Sequence, residues 1–348
     1  MTLKYFTDAN SALGYVSLQK ENLIGITRIY HLRSPDDQLI HNLLEALAQL
    51  PSLKHLTLEY SYSTFNPNFL AGLMIRELGT AFVSGKVVTA QSEIIDLNAL
   101  YEESEIKKNQ ADIERLKLNM NQFYKKMYMH FNAALHIHDE WEKIYIDRID
   151  FEKADAFTEE VLTRLFDTDI AASEQATMVL HRFFGASTPQ GLHDFIPELT
   201  VGLKRYLIKG RPGSGKSTLM REVVKKATSL GYDVDVYHCS LDPKSLDMVV
   251  VPELSFCVFD ATAPHAYEPS LATDEIIDTY TAFIKEGTDE RCLMIVAEVE
   301  AKYNNQIKLA RDAMKDGHAA RDKLSDIYQK NLVTERFDTA LDVLVSKL

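Results

Sequence analysis

Short apolar runs alternate with longer amphipathic stretches through much of the chain. Residues 28–32 form an apolar run, and residues 53–60 alternate between apolar and polar positions as strands do. An amphipathic helix is predicted between them at residues 39–47, and further apolar runs follow at 73–75 and 81–83. Because strands that alternate with helices favour parallel pairing, the pattern predicts an α/β fold with a parallel sheet covered on both faces.

The second half of the chain repeats this plan. With a shift of about 177 residues, similar residues recur in the same order and with nearly the same spacing. Matched positions are Gly25 with Gly202, Arg28 with Arg205, Pro35 with Pro212, residues 66–70 with 242–246, and residues 93–96 with 275–278. We therefore predict two duplicated domains, residues 1–170 and 171–348, with a boundary in the mostly small and polar segment 168–173.

A long, densely charged stretch without proline follows the strand pattern in each half. Residues 101–151 and 297–333 carry apolar positions three and four residues apart, which predicts helices. Two interpretations remain open: a helical hairpin packed on its own domain, or a lid or docking surface for a protein partner. A short amphipathic segment closes each half, at residues 157–166 and 337–348.

One loop of the second half carries the strongest candidate chemistry. It fits the phosphate-binding pattern G-x-x-x-x-G-K-[ST], with an apolar run at 206–208 before it and a helical pattern at 219–224 after it. The predicted nucleotide-binding residues are Gly210, Arg211, Pro212, Gly213, Ser214, Gly215, Lys216, Ser217 and Thr218. Glycines let the backbone N–H groups approach phosphate oxygens closely. We expect Lys216 to reach the β and γ phosphates and the Ser217 hydroxyl to ligate Mg²⁺.

A second magnesium ligand is expected at the end of a neighbouring strand. The apolar run 256–259 ends in Asp260, as a Walker B strand does. We therefore predict Lys216 and Asp260 as the catalytic pair and Ser217 and Asp260 as metal ligands. Asp242 and Asp247 are the alternatives to Asp260.

No glutamate directly follows this aspartate, because the next residue is Ala261. In many motor ATPases an adjacent acid orients the attacking water. Its absence favours regulated turnover, or transfer of the phosphoryl group to another acceptor. Glu253, Glu268 and Glu298 are candidates to replace it, and the sequence does not choose among them.

Histidine and cysteine side chains are expected near the same edge of the sheet. His238 and Cys239 follow one predicted strand and His265 follows another. They fit no zinc spacing. Either they line an acceptor pocket, with His265 as a general base, or they are ordinary strand-end and turn residues.

Two arginines are candidates for stabilising phosphoryl charge. Arg211 lies inside the loop, and Arg291 precedes the apolar run 292–296, which has the pattern of a strand. Solvation at the surface is the alternative for Arg291.

The first half has lost the residues that bind phosphate. In place of Gly213, Gly215, Lys216 and Ser217 it carries Asp36, Gln38, Leu39 and Ile40, and Ser84 replaces Asp260. Two carboxylates, Asp36 and Asp37, would repel a polyphosphate, and the balancing ammonium is missing. We predict that the first half does not bind Mg·ATP.

Composition narrows the class of partner. The formal net charge of −13 and the pI of about 5.3 argue against nucleic acid or an anionic membrane surface. No apolar run approaches the length of a membrane span, and the three cysteines suit a reducing compartment. We expect a cytoplasmic protein.

The second half resembles an uncharacterised bacterial family of tandem P-loop ATPases that are described as nucleotide-kinase-like. The resemblance is carried by residues 209–218, 237–239, 242–243, 245–248, 252–254 and 260–265, and it extends over nearly the whole chain. It implies ATP binding with hydrolysis or transfer. In that family the first half commonly has its own glycine-rich loop, and this chain departs from the family there.

The sequence therefore predicts two P-loop NTPase-like domains, the first degenerate and the second active. The expected function is Mg²⁺-dependent hydrolysis of ATP at the single C-terminal site, with the first half regulatory or structural. A small-molecule or nucleotide kinase is the first alternative, and a nucleotide-gated scaffold with little turnover is the second.

Overall fold

The computed structural model describes residues 2–85, 91–170 and 176–348. The strands of the first half are β1 (Thr2–Tyr5), β2 (Asp8–Ser11), β3 (Gly14–Ser17), β4 (Arg28–Arg33), β5 (Leu58–Tyr62), β6 (Leu70–Ile75), β7 (Thr80–Val83) and β8 (Ser92–Asp96). Its helices are α1 (Gln19–Asn22), α2 (Asp37–Ala48), α3 (Glu103–Lys108), α4 (Gln110–Ile146) and α5 (Phe151–Leu165), with short 3-10 helices at Pro51–Leu53, Arg76–Leu78 and Asn98–Leu100.

The second half has the matching set of elements. Its strands are β9 (Val179–Arg182), β10 (Gly185–Thr188), β11 (Gly191–Asp194), β12 (Lys204–Lys209), β13 (Val234–His238), β14 (Leu246–Val251), β15 (Phe256–Asp260) and β16 (Glu275–Asp278). Its helices are α6 (Ile196–Leu199), α7 (Lys216–Ser229), α8 (Thr279–Phe283), α9 (Thr288–Lys330) and α10 (Glu335–Val345), with a 3-10 helix at Pro252–Leu254.

Both halves build a six-stranded sheet with the same strand order. The first is β1-β5-β6-β7-β4-β8 and the second is β9-β13-β14-β15-β12-β16. In each sheet the third strand, β6 or β14, is antiparallel to both neighbours, while the other three pairings are parallel. The predicted parallel pairing therefore holds for most of each sheet, and one antiparallel strand in each departs from it. Only residues 76–79 and 252–255 connect β6 to β7 and β14 to β15, which is too short for the crossover that parallel neighbours need.

The two sheets pack against each other. Along β14, Met248 and Val250 belong to a core shared by both sheets, while Val249 and Val251 belong to the core beneath α7. The strands of the first sheet divide in the same way between the shared core and the core beneath α2. Each sheet is thus covered by helices on one face only, and the other sheet covers its second face.

The short closing helices cross between the halves. Val161, Leu162 and Leu165 of α5 pack into the core beneath α7, in the second half. Ala340 and Leu344 of α10 pack into the core beneath α2, in the first half. A division at residue 170 therefore separates each sheet from one of its covering helices. Residues 171–173 of the predicted boundary lie outside the described part of the chain.

The long helices link the halves reciprocally. α4 has 37 residues and α9 has 43, and the two lie against each other. Isolated bridges pair Tyr101 with Leu332 and Ile149 with Ile284, so the two helical segments run antiparallel. The interpretation of each tail as a hairpin on its own domain is wrong, because each is dominated by one long helix that pairs with its counterpart. None of the described helices combines the length and the apolar composition needed to cross a membrane.

One predicted strand is a helix. Residues 292–296 lie in the second turn and beyond of α9, where Leu293, Met294 and Ile295 are all more than half exposed. A five-residue apolar run does not distinguish a buried strand from part of a helix, and here the helix forms.

Candidate functional site

The glycine loop joins β12 directly to α7, which is the local order that the motif predicts. Gly213 and Gly215 have φ angles of 74° and 79°, in the left-handed region that favours glycine. The Ser214 hydroxyl, in a side chain only 1% exposed, accepts a hydrogen bond from Arg211 N at 3.0 Å and lies 2.8 Å from the Thr279 hydroxyl. These contacts fix the loop ahead of the positive end of the α7 dipole, an arrangement suited to an anion.

Lys216 and Asp260 meet at this loop. Lys216 Nζ lies 3.5 Å from Asp260 Oδ2 and donates a hydrogen bond to Arg211 O at 3.0 Å. Asp260 ends β15, and the parallel register places it beside Ile208 of the strand that leads into the loop. Asp260 Oδ1 accepts a hydrogen bond from Thr262 N at 2.9 Å. The sequence prediction that these two side chains share one site is consistent with this geometry.

The oxygens at the site suit a magnesium ion. Ser217, the first-turn hydroxyl of α7, accepts a hydrogen bond from Leu246 N at 2.9 Å, which leaves a lone pair free. Asp260 supplies carboxylate oxygens near the same loop, and Mg²⁺ prefers oxygen ligands of these kinds. Ser217 and Asp260 are therefore a chemically reasonable ligand pair.

The long helix of the first half forms a wall of this site. A Cβ added to Gly213 would lie 2.4 Å from the backbone oxygen of Glu142 in α4, so loop and helix are in direct contact. One turn further along, Tyr145 donates a hydrogen bond to Asp289 at 2.9 Å, and the same carboxylate accepts one from Arg211 at 2.8 Å. The glycine loop thus lies between α4 and the start of α9.

A cavity of about 1170 Å³ opens at the loop. All of residues 210–218 line it, together with Asp260, the competing aspartates Asp242 and Asp247, and Glu268. Glu142 and His138 line it from the first half. Burial and the Lys216 ammonium lower the pKa of His138. The volume of the cavity is above the usual range for a site that holds one small ligand.

A second polar group of side chains also lines or borders the cavity. Burial and the charge of Asp260 raise the pKa of Asp247 to about 6. His265, 8% exposed, lies with its Nδ1 3.0 Å from Asp194 Oδ2. Although burial opposes it, hydrogen bonding from His265 holds the pKa of Asp194 below its usual value. Cys239 also lines the cavity, and burial raises its pKa well above the usual value.

Several predicted candidates lie away from the cavity lining. His238 Nε2 is 2.8 Å from His181 Nδ1, between β13 and β9. Glu253 accepts a hydrogen bond from the backbone N–H of residue 233, and Glu298 forms an exposed ion pair. Arg291 donates to the backbone near the start of α9. None of these four candidates is among the residues that line the cavity.

The corresponding loop of the first half is bonded to protein side chains. Asp36 accepts hydrogen bonds from Ser325, at 2.6 Å, and from Gln329. Asp37 forms an ion pair with Arg321, and all three partners belong to α9. The cavity beside this loop is only about 290 Å³. The position that carries Gly213 in the second half therefore carries, in the first half, a carboxylate that is hydrogen bonded to α9.

Sequence reasoning missed the contributions of α4. Glu142, His138 and Tyr145 lie in a stretch that was predicted as a helical hairpin, a lid or a docking surface, without any residue of the nucleotide site. The repeat pairs residues 144–145 with 327–328 and could have marked the corresponding faces of the two helices. Nothing in the local pattern indicates that this face reaches the opposite half.

No protein-family model, curated protein or solved structure matches the chain. The resemblance to tandem P-loop ATPases therefore remains a prediction from the sequence motifs.

Proposed function

We propose that this chain binds ATP with Mg²⁺ in the large cavity and hydrolyses it at the single loop of the second half. The observation that carries the proposal is the meeting of Lys216 and Asp260, 3.5 Å apart, beneath a glycine loop at the start of α7. Phosphoryl transfer needs mainly charge stabilisation and positioning. A lysine, a metal-binding carboxylate and inward N–H groups supply both.

In this proposal each residue has a defined task. The N–H groups of residues 213–217 would hold the β and γ phosphate oxygens. The Lys216 ammonium would move away from Asp260 and bind the γ phosphate. Ser217 and Asp260 would hold Mg²⁺, which neutralises charge on the phosphates. Arg211 is committed to Asp289, so it serves to fix the loop.

The first half would support the site without binding nucleotide itself. Asp36 and Asp37 occupy the loop positions where phosphate would lie, and α9 already satisfies them. Displacing these contacts would leave two carboxylates facing a polyanion.

The test is ADP release by the wild type and by Lys216→Ala. Removing the ammonium should lower turnover on the order of 100-fold or more, because developing charge on the phosphoryl group loses its main counter-charge. Lys226→Ala is a matched control, since Lys226 is exposed on the same helix. EDTA should abolish turnover by the wild type. Equal rates for Lys216→Ala and the wild type would refute the site.

A small-molecule kinase is the second candidate. Asp247 and His265 also line the cavity, and its volume of about 1170 Å³ leaves room for an acceptor next to titratable side chains. The same assay, repeated with a panel of nucleosides and metabolites, separates the two functions. A kinase would release ADP rapidly only with one acceptor, whereas a hydrolase would turn over without any.

A further inference from the structure

We propose that Glu142, from the long helix of the first half, orients the water that attacks ATP in the second half. The inference rests on the proposed function. Glu142 supplies the acid that orients the water, because Ala261 occupies the position after Asp260 where many motor ATPases have that acid.

Position is the first argument. The backbone of Glu142 lies against Gly213, and its side chain lines the cavity that opens at the loop. Residues of a P-loop surround the β and γ phosphates, so a side chain that leaves the helix at this contact starts beside the γ phosphate. Hydrolysis requires a water at that end of the nucleotide.

The two halves provide the second argument. The loop position of Gly213 corresponds to Asp36, and the helix position of Glu142 corresponds to Ser325. Asp36 and Ser325 are hydrogen bonded at 2.6 Å, so the same loop position meets the same helix position in both halves. In the first half the loop provides the carboxylate and the helix a hydroxyl. In the second half this loop position, Gly213, has no side chain, and the carboxylate is on the helix.

Charge is the third argument. Burial and the charge of Asp139 raise the pKa of Glu142, while Lys216 opposes the shift. The carboxylate is therefore electrostatically coupled to the P-loop lysine, and its raised pKa makes it a better proton acceptor than an ordinary surface glutamate.

Two other carboxylates around the cavity form close ion pairs and a third is exposed, whereas Glu142 Oε1 makes a longer contact, 3.6 Å from His138 Nδ1. Glu268 pairs with Lys209 at 2.7 Å, and Asp289 pairs with Arg211 at 2.8 Å. Glu300 is exposed on α9. Of these acids, Glu142 is the one that combines contact with the loop and a position in the cavity wall.

The chemical step balances with groups already named. The water oxygen forms a bond to the γ phosphorus while the bond from that phosphorus to the β–γ bridging oxygen breaks. The bridging electron pair leaves with ADP. A water proton passes to the Glu142 carboxylate and from there to the released phosphate, so the carboxylate is regenerated.

The experiment measures kcat for ATP hydrolysis and the Kd for ATP separately. Glu142→Gln keeps the size of the side chain and the backbone contact with Gly213. We expect kcat to fall at least 100-fold while Kd changes less than threefold, because the carboxylate acts on water and not on binding. Glu142→Asp, which keeps the carboxylate at a shorter reach, should retain a measurable part of kcat.

Glu140→Gln is the matched control, since Glu140 is exposed two residues away on the same helix and undergoes the same charge change. Its kcat should stay within twofold of the wild type. Turnover by Glu142→Gln within threefold of the wild type would overturn the inference, and so would a loss explained by weaker ATP binding alone. If Lys216→Ala hydrolyses ATP as fast as the wild type, the proposed function fails first, and the role of Glu142 fails with it.

Discussion

At the scale of single residues, one position distinguishes the two loops. Gly213 has positive φ and also lies against the backbone of α4, so two separate constraints act on it. Its counterpart Asp36 has extended backbone, with φ of −128°, and its side chain caps α2. A change of one residue type thus accompanies a change from a glycine turn with positive φ to a capped helix start.

The two constraints on Gly213 can be separated by mutation. Gly202 has nearly the same φ, 77° against 74°, but a Cβ there would meet nothing within 4 Å. Gly202→Ala should cost about 1 kcal/mol of unfolding free energy from backbone strain alone. Gly213→Ala should cost about 1–3 kcal/mol more, because the methyl group would collide with Glu142.

Chemical denaturation of both variants measures this difference, and ATP titration follows the site. ATP affinity should fall for Gly213→Ala and stay unchanged for Gly202→Ala. Equal destabilisation of the two variants would mean that the contact with α4 does not restrict the side chain at position 213.

At the scale of elements, each sheet depends on a helix from the other half. Leu344 of α10 is fully buried beneath α2, and Leu165 of α5 is 6% exposed beneath α7. Each closing helix is amphipathic, so its apolar face needs a partner surface, and the opposite half provides it.

Amide hydrogen exchange tests whether each closing helix packs on the sheet of the opposite half. Leu344→Ala should remove about 2–5 kcal/mol of local stability and speed exchange in α2 at Asp37–Ala48. Leu165→Ala should instead speed exchange in α7 at Lys216–Ser229. Each variant is the control for the other. Faster exchange in the helix of the same half would contradict the arrangement.

Local elements were predictable from the sequence, and their partners were not. Periodicity located α2, and the glycine motif located the β12–α7 turn, because both signals come from adjacent residues. The amphipathic pattern of residues 337–348 indicates a buried face but does not say which sheet buries it. The same limit applies to Glu142, whose neighbour Gly213 is far away in sequence and in the other half. Residues 292–296 were misassigned because an apolar run carries no sign of its exposure.

At the scale of the whole molecule, a buried charged cluster joins the two sheets. Arg182, 1% exposed, lies 2.9 Å from Glu59 of the first sheet and 3.1 Å from Asp235 of the second. Its guanidinium also stacks 4.4 Å from the centre of the Tyr5 ring. Burial favours the neutral form of Glu59, but the charge of Arg182 and its other arginine neighbour hold the Glu59 pKa below its usual value.

Removing this arginine should loosen the contact between the sheets. Arg182→Met should lower the free energy of unfolding by about 3–5 kcal/mol, because two buried carboxylates lose a shared counter-charge. Adding Asp235→Asn should recover part of that loss, since Asp235 loses its ion pair with Arg182, whereas Glu59 keeps an ion pair with Arg76 at 2.6 Å. Arg115→Met, at an exposed ion pair, should change stability by less than about 1 kcal/mol.

Thermal and urea unfolding of these variants give the required values. A loss for Arg182→Met as small as that for Arg115→Met would indicate that the cluster contributes little to holding the sheets together.

Because each half supplies helices to the other, the two halves of the coding sequence cannot change independently. One half of the coding sequence specifies the glycine loop, and the other half specifies the helix that lies against it. A deletion of residues 1–170 would therefore remove Glu142 from the cavity wall and α5 from the sheet that carries Asp260. The first half therefore cannot be discarded as redundant, and a harmful mutation in it also alters the cavity of the second half.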